Sequence, residues 1–287
     1  MDTLKEFDEL RAGLAQQLRS LRETSGLTGR EAEEQSGIRQ SKISRIETGQ
    51  MTPKTEEVTK LVDLYHPSQE VANRLVEQVR RLNTQVHTRR SMRGLNAEGH
   101  QERAQELERE SLNISIFHPG LIPGLLQTAE YAQQMLLTSS LNAVDVANAV
   151  NVRLARQAIL FDPQRNFRFL IGEQTLYPQV VDPDVLVRQI DRILNVMTLP
   201  NVKFGIIPLT ARLKEPMMNG LVMYDDKMVL IETFSAQITI EDQQDLSSYE
   251  ELLNDLESVA LLGDQAANLL QQWSHRLCKG ENVGDDS

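Results

Sequence analysis

The chain has 287 residues and a formal net charge of −11, and this acidic total argues against a protein that coats nucleic acid through bulk positive charge. Hydrophobic residues make up 40% of the sequence and charged residues 25%, a composition that excludes collagen-like and wholly disordered chains. The single cysteine, Cys278, excludes an internal disulfide framework and a CxxC metal site, and we interpret it as a spare thiol.

The beginning of the chain has neither the basic region nor the apolar core of a signal peptide. No apolar run approaches the roughly 20 residues that are needed to span a bilayer. We therefore expect a cytoplasmic protein without a membrane partner.

The charge is unevenly distributed along the chain. Residues 1–93 contain 16 Lys or Arg and 14 Asp or Glu, a net charge of +2, whereas residues 94–287 contain 14 and 27, a net charge of −13. A basic stretch precedes the change, and its arginines form either a solvated helix face and linker or a phosphate-contacting segment beside a DNA-binding domain. These arginines are Arg74, Arg80, Arg81, Arg89, Arg90 and Arg93.

The pattern divides the chain into two predicted domains. Residues 85–97 are basic and polar with little apolar periodicity, which is typical of a junction between domains. The first domain is then predicted over residues 1–84 and an acidic second domain over residues 98–278. Residues 279–287 are polar and are expected to form a mobile tail.

The first domain is predicted to be all-α, with about five short helices. Apolar residues at helical spacing predict a first helix over residues 7–25. Thr28 and Glu31 have the spacing of a capping box, which predicts the start of a second helix. Gly37 then lies in a tight turn before a third helix over residues 40–48. A fourth and a fifth helix are predicted after the caps Thr55 and Ser68.

The third helix is polar on its outward side. At 100° per residue, Ile43, Ile46 and Glu47 share the inward side, whereas the outward side carries no acidic residue. The outward side and the N-terminal end offer donors suited to base edges and phosphates, which favours DNA binding over a face that is polar for solubility alone. These residues are Arg39, Gln40, Ser41, Lys42, Ser44, Arg45 and Thr48.

Leu27-Thr28, Gly37-Ile38 and the run from Gln40 to Gly49 resemble the helix-turn-helix of the XRE family of phage-repressor-type regulators. The resemblance implies a lambda-repressor-like fold whose third helix enters the major groove of double-stranded DNA. It places Gln40, Ser41 and Arg45 where the family contacts bases. The residues predicted to bind DNA are Thr28, Arg30, Arg39, Gln40, Ser41, Lys42, Ser44 and Arg45.

Three further features follow from this resemblance. Thr28 lies at the start of the second helix, where backbone N–H groups usually meet a phosphate. Gly29 stands where many relatives carry Gln, and Arg30 is a candidate to replace that missing contact. Glu47 resembles an acid that pairs with an arginine of the first helix, here Arg22, in a structural ion pair.

The second domain is predicted to be α/β or α+β, and to serve as an effector and dimerisation domain. Residues 98–112 are expected to be helical, and the two prolines within 117–124 indicate an extended or turn-like segment. Helices are predicted over residues 125–137, 144–161 and 185–197, and a closing helical region over 246–273. Strands are predicted over residues 167–173 and 202–207, in a hairpin of 221–224 with 228–234, and over 237–240 as an extension of that sheet.

No pattern in the sequence is typical of an enzyme or a metal site. The histidines have no metal-ligand spacing, and we interpret His118 as a structural loop residue. Glu173 and Glu232 end or interrupt apolar strands, so they either shape a polar pocket or face water as strand-end charges. We therefore expect no catalytic activity, no cofactor and no metal, and we assign no ligand-binding residues.

The segment Ile122–Ala132 resembles the signature PGLLQT-x-x-YA of a domain that follows XRE motifs in actinobacterial regulators of the WhiJ-like type. Arg153, Arg156-Gln157, Gly172-Glu173 and the segment 201–208 fit the same pattern. The resemblance implies an antitoxin-like arrangement in which a transcriptional regulator is paired with a small partner protein.

The sequence thus predicts a sequence-specific DNA-binding transcriptional regulator that forms a homodimer. Its second domain is expected to dimerise and to sense a partner protein or a small ligand. The alternative is an antitoxin-like interaction module whose main role is to neutralise a small partner protein.

Overall fold

A computed structural model describes residues 2–88, 106–138, 143–177, 180–216, 218–233 and 236–280. Its contacts divide the chain into two compact units, residues 1–87 with 238–246 and residues 88–237 with 247–287. Among the described residues, no helix is long and apolar enough to cross a membrane.

The first unit contains five helices, as the sequence predicts. They are α1 (Asp2–Thr24), α2 (Gly29–Ser36), α3 (Gln40–Glu47), α4 (Thr55–Tyr65) and α5 (Gln69–Asn83). Ser68 caps α5 by accepting a hydrogen bond from the N–H of Val71 at 3.4 Å. The prediction that Thr55 caps α4 is wrong, because α4 begins at Thr55 and the carboxylate of Glu57 instead accepts from the N–H of Lys54 at 3.0 Å.

The five helices enclose one apolar core. The leucines at helical spacing in α1 contribute Leu14 and Leu18, both fully buried, while Leu10 and Leu21 pack at its edge. The other buried members are Ala32, Ile38, Ile43, Ile46, Val58, Leu61, Val62, Tyr65, Leu75, Val79 and Leu82. This core fixes the angle at which α3 is presented to solvent.

The second unit is built on a mixed sheet. Three strands, β2 (Asn113–His118), β3 (Asn166–Gly172) and β4 (Val202–Ile207), run parallel to one another. The antiparallel strands β5 (Gly220–Tyr224), β6 (Met228–Glu232) and β8 (Leu261–Leu262) extend this sheet on both sides. The strand order is β6-β5-β2-β3-β4-β8. The sequence therefore predicts the fold class correctly: an N-terminal helical unit and a C-terminal α/β unit.

Helices connect the parallel strands, as parallel pairing requires. The chain passes from β2 to β3 through α6 (Ala129–Leu137) and α7 (Ala143–Arg156), and from β3 to β4 through α8 (Pro183–Val196). Helix α10 (Gly263–Lys279) packs against α8, and its Trp273 is buried with the ring 4.6 Å from that of Tyr177. The core of this unit includes Phe167, Phe169, Ile171, Leu186, Ile190, Ile193, Phe204, Ile206 and Leu270.

The first strand of the chain lies at the predicted junction. Residues 84–88 form strand β1, although the sequence places a polar junction over 85–97, and β1 neighbours β7 (Ala236–Ile240) in the sheet order. Residues 238–246 group with the first unit rather than with the predicted second domain. Residues 89–97 of the junction and 281–287 of the predicted tail lie outside the described residues.

Two predicted helices of the second unit, and its closing helical region, are divided in the structure. The predicted helix 125–137 is a 3-10 turn over Gly124–Leu126 followed by α6, and the predicted helix 144–161 becomes 3-10 from Gln157. The predicted closing segment 246–273 is two helices, α9 (Gln243–Val259) and α10, because β8 pairs with β4 between them.

Candidate nucleic-acid interface

Helix α3 presents a polar face to solvent because its apolar side is held in the core. Ile43 and Ile46 are each only 1% exposed. The side chains that point the other way are exposed to solvent. These are Gln40, Ser41, Ser44 and Arg45, with Arg39 as the exposed N-cap residue.

The predicted partners Arg22 and Glu47 form a bidentate ion pair. The Nε and one terminal nitrogen of Arg22 donate to the two carboxylate oxygens of Glu47 at 2.8 and 2.9 Å. Arg22 also donates to the carbonyl of Leu27 at 2.8 Å. The hydrogen bond to Glu47 raises the pKa of Arg22. One guanidinium therefore ties α1 to both α3 and the segment that leads into α2.

The beginning of α2 is closed by the predicted capping box. The N–H of Thr28 donates to the carboxylate of Glu31 at 2.8 Å, and the N–H of Glu31 donates back to the hydroxyl of Thr28 at 3.3 Å. The hydrogen bond from the Thr28 N–H lowers the pKa of Glu31. A carboxylate thus lies at the helix start where the family resemblance implies a phosphate, and the next N–H groups along α2, from Gly29, are the donors left for an anion.

Lys42 is engaged within the protein. Its ammonium group forms an ion pair with Glu57 of α4, and its side chain is 32% exposed. The same carboxylate caps α4 through the N–H of Lys54. A contact between Lys42 and DNA therefore requires this ion pair to open. In this respect Lys42 differs from the exposed residues of α3 that are predicted to bind DNA.

A depression beside α3 adds a residue that the sequence does not single out. A cavity of about 270 Å³ is lined by Gln40 and Ser44 of α3 and by Arg19 of α1. Arg19 is exposed and pairs with Glu23. Its spacing of three from Arg22 places both arginines on one side of α1, and this is the signal that identifies it.

Gly29 gives Gln40 its space. A Cβ atom built on Gly29 would lie 3.2 Å from Cγ of Gln40. The glycine that departs from the family pattern therefore allows a predicted base-contacting side chain to pack over the start of α2. Arg30 is exposed in the first turn of the same helix.

The basic stretch is only partly described. Arg74, Arg80 and Arg81 are exposed on α5. Arg80 donates to the side chain of Gln244 at 2.9 Å, and Arg81 pairs with Glu77. Arg89, Arg90 and Arg93 lie outside the described residues.

Buried glutamines of the second unit hold the segment that resembles the PGLLQT-x-x-YA signature. The amide of Gln189 donates to the carbonyl of Leu126 at 2.8 Å, and its oxygen accepts from the N–H of Thr128 at 2.7 Å. Gln157 donates to the carbonyl of Gln127 at 2.7 Å. These bonds satisfy the backbone at the break between the 3-10 turn and α6.

Of the residues that the sequence singles out in the second unit, His118 and Glu173 accept hydrogen bonds from the backbone, whereas Glu232 is exposed. Nδ1 of His118 accepts from the N–H of Leu121 at 3.0 Å, and burial lowers the pKa of His118 to about 4. Glu173 accepts from the N–H of Leu209 at 2.9 Å, and Glu232 is exposed at the end of β6. The described ranges contain no group of three or more His, Cys, Asp or Glu that could hold a metal ion.

Comparison with protein families separates the same two parts. Residues 14–75 match a helix-turn-helix domain. Residues 101–272 match a domain of unknown function, DUF5753, over more than half of the chain. The chain belongs to the DUF5753 family. This DUF5753 protein thus carries an N-terminal helix-turn-helix domain whose second and third helices are α2 and α3.

Solved structures resemble the DUF5753 protein only distantly. The archaeal chromatin protein TrmBL2, whose structure shows a novel mode of DNA binding, is 10% identical with a TM-score of 0.34, over 71% of this chain and 66% of that chain. The phospholipase D family member Nuc from Salmonella typhimurium is 11% identical with a TM-score of 0.34, over 63% of this chain and 97% of that chain. NucT from Helicobacter pylori is 9% identical with a TM-score of 0.35, over 62% and 96%.

These scores establish no shared fold. The DUF5753 protein spans just under two thirds of the TrmBL2 chain. No curated protein sequence matches it.

Proposed function

We propose that this protein is a sequence-specific DNA-binding transcriptional regulator of the XRE type. One observation carries the proposal: α3 exposes Gln40, Ser44 and Arg45 on a face without acidic residues. Glutamine and arginine are the side chains that pair in bidentate fashion with adenine and guanine in the major groove. The Arg22–Glu47 ion pair supports this role because it holds α3 in place before DNA binds.

The proposal is tested by selecting binding sites for the full chain from random and genomic DNA, then measuring affinity by gel shift. Arg45→Ala is expected to weaken binding to the selected site by about 1–3 kcal/mol and to relax preference at one base pair. Arg45→Lys keeps the charge but loses the bidentate geometry, so it is expected to lose preference while keeping most non-specific affinity.

The matched control is Arg188→Ala, which removes an exposed arginine from α8 in the second unit. This variant is expected to bind the selected site as the unsubstituted chain does. If Arg45→Ala weakens binding to selected and random DNA equally, then Arg45 contacts only phosphate. If the full chain selects no site at all, the proposal fails.

We also propose that the protein acts as a cytoplasmic homodimer and that its second unit senses a partner protein or a small ligand. The net charge of −13 over residues 94–287 supports this division, because such a surface is repelled by DNA and suits a different partner. We propose no catalytic role for the second unit. Turnover of a metabolite by the full chain would contradict that assignment.

The alternative role is an antitoxin-like module of the WhiJ-like type that neutralises a small basic partner protein. The same acidic charge favours it. Mass spectrometry of proteins that co-purify with the chain distinguishes the two roles. A partner retained by an Arg45→Ala chain that no longer binds its operator would favour neutralisation as the main function.

A further inference from the structure

A cavity of about 280 Å³ lies at the carboxyl end of β2 in the second unit. Its floor is apolar: Ile116 of β2 pairs with Val222 of β5, which in turn pairs with Leu230 of β6, and all three line the cavity. Crevices at the carboxyl ends of strands in α/β sheets are common ligand sites. The shape and the lining thus suit a small molecule with an apolar body.

Two arginines one helical turn apart on α7 line this cavity, and they have different surroundings. Arg156 is paired with Glu108, with Nε 2.9 Å from the carboxylate, and the two side chains are 12% and 3% exposed. Burial disfavours the charge of Arg156, but the hydrogen bond that Arg156 donates to Glu108 and the attraction of nearby negative groups together outweigh burial and raise the pKa of Arg156. The charge of Arg156 is therefore compensated by its ion pair with Glu108.

Arg153 has no carboxylate partner of this kind among the described residues. One terminal nitrogen of Arg153 donates a 2.6 Å hydrogen bond to the neutral side-chain oxygen of Gln127, and its Nε is buried without a partner. Burial lowers the pKa of Arg153. Within the described part of the chain Arg153 forms no ion pair, although the charge of Glu232 attracts it. A partly buried guanidinium whose Nε has no acceptor is destabilising unless an anion completes it.

His118 adds a neutral donor to the same cavity. Because Nδ1 accepts from the backbone N–H of Leu121, the proton of the neutral ring lies on Nε2. A Cβ atom on Gly220 would lie 2.8 Å from the ring, so this glycine makes room for the imidazole between β2 and β5. The cavity therefore combines a cation, a neutral N–H donor and an apolar floor.

We propose that this cavity binds a small carboxylic acid whose carboxylate pairs with Arg153 and whose apolar body lies on Ile116, Val222 and Leu230. A single negative charge fits best, because Glu108 and Glu232 also line the cavity and would repel a dianion such as a phosphate monoester. The volume lies near the lower end for small-molecule sites, which indicates a ligand of metabolite size.

The test uses the full chain and measures binding by calorimetry in the absence of DNA. Benzoate and hexanoate are the carboxylate probes, benzamide and hexanamide are their neutral counterparts, and phenyl phosphate is the dianionic probe. At millimolar concentrations we expect the carboxylates to bind and the amides not to bind. Equal binding of acids and amides, no binding by either acid, or tighter binding of phenyl phosphate than of benzoate would overturn the proposal.

Two substitutions make the test specific to the site. Arg153→Gln is expected to weaken benzoate binding by about tenfold to a hundredfold, the range for a charge-assisted hydrogen bond. Glu232→Gln removes an exposed negative charge from the rim and is expected to tighten binding by about threefold or more. Arg188→Gln, which removes an exposed arginine remote in sequence from the cavity lining, is the control and should leave binding unchanged.

The Glu232→Gln result decides the matter if Arg153→Gln fails to fold. Unchanged or weaker carboxylate binding by Glu232→Gln would overturn the proposal, since it would show that Glu232 is not a competitor for Arg153. That the bound acid is the regulatory signal rests on the proposed function. Binding without DNA and binding to operator are separate measurements, so a chain that binds benzoate but selects no DNA site would refute the regulator and leave the cavity assignment standing.

Discussion

The Arg22–Glu47 ion pair shows how a single contact holds α3, the helix that we propose to read DNA. Both carboxylate oxygens are engaged, and the side chains are only 15% and 6% exposed. Tyr65 lies in the same electrostatic environment, where burial raises its pKa to about 12. Because the pair is largely shielded from water, its loss leaves a charge that the solvent cannot fully compensate.

Glu47→Gln is therefore expected to destabilise the first unit by about 2–4 kcal/mol. The measurement is chemical denaturation of the full chain followed by helical circular dichroism. Glu77→Gln is the matched control, because Glu77 forms an exposed pair with Arg81 four residues away on α5. That change is expected to cost less than about 0.5 kcal/mol. Similar losses for the two variants would show that the Arg22–Glu47 pair does not stabilise the unit.

His118 gives the second unit a predictable dependence on pH. Its pKa is about 4 in the folded chain, against an ordinary value of 6.5. Between these values the unfolded chain binds a proton that the folded chain does not. The contribution of His118 to the free energy of unfolding is therefore fully present above about pH 6.5. It falls as the pH decreases toward 4, by at most about 1.4 kcal/mol per pH unit.

Fluorescence of Trp273, the single tryptophan, measures this effect because the residue is buried in the second unit. His118→Asn keeps an acceptor for the N–H of Leu121 but cannot titrate, so it is expected to flatten the fall in stability between pH 6.5 and 4. His275→Asn removes an exposed histidine and should keep the slope. A slope that is unchanged in His118→Asn would contradict the assignment.

The sequence predicts some of these residue contacts and misses others. The exposed face of α3 follows from helical periodicity, and the partner of Glu47 follows from a family pattern. The pairing of Lys42 with Glu57 does not, because no local pattern shows which residue of α4 faces α3. The unmatched Arg153 is missed for the same reason, since its surroundings come from four separate segments of the chain.

Local sequence patterns likewise predict the bounds of some helices and strands and miss others. Strand β4 and helix α8 lie close to their predicted bounds because each has a clear periodic pattern and a Pro or polar boundary. The break at Gln127–Thr128 is missed because apolar residues continue on both sides of it. The chain leaves the helix there because the buried side chains of Gln157 and Gln189 replace helical hydrogen bonds.

The end of β3 lies very close to the backbone of the segment that follows β2. A Cβ atom on Gly172, at the end of β3, would lie 2.4 Å from the backbone carbonyl oxygen of Pro119. Backbone cannot move aside as a side-chain end can, so Gly172→Ala is expected to destabilise the second unit by about 2–3 kcal/mol. Denaturation followed by Trp273 fluorescence measures the change.

Gly120→Ala provides the control for this close approach. A Cβ atom on Gly120 would have no neighbour within 4 Å, although the residue follows Pro119 directly. Its effect is expected to stay within about 0.5 kcal/mol. Equal stabilities of the two variants would mean that the loop shifts freely and that the close approach does not fix the position of β3.

At the scale of the whole molecule, the charge distribution assigns different tasks to the two parts of the chain. The total of −11 excludes a non-specific coat, but residues 1–93 carry +2 and α3 exposes no acid. With so little positive charge, the proposed homodimer would draw its affinity for DNA from a few base contacts and from the use of two half-sites at once. Dimer geometry then matters more than in a strongly basic protein.

An operator for the proposed homodimer is expected to contain two half-sites about one helical turn, ~34 Å, apart. Insertion of about 5 base pairs between them turns the half-sites to opposite faces of the duplex, so affinity for the full chain should fall by about a hundredfold. The measurement is a gel shift with the selected site, the spaced site and a single half-site. The dimer requires the single half-site to bind as weakly as the spaced site; if it binds as tightly as the intact operator, the chain recognises DNA as a monomer.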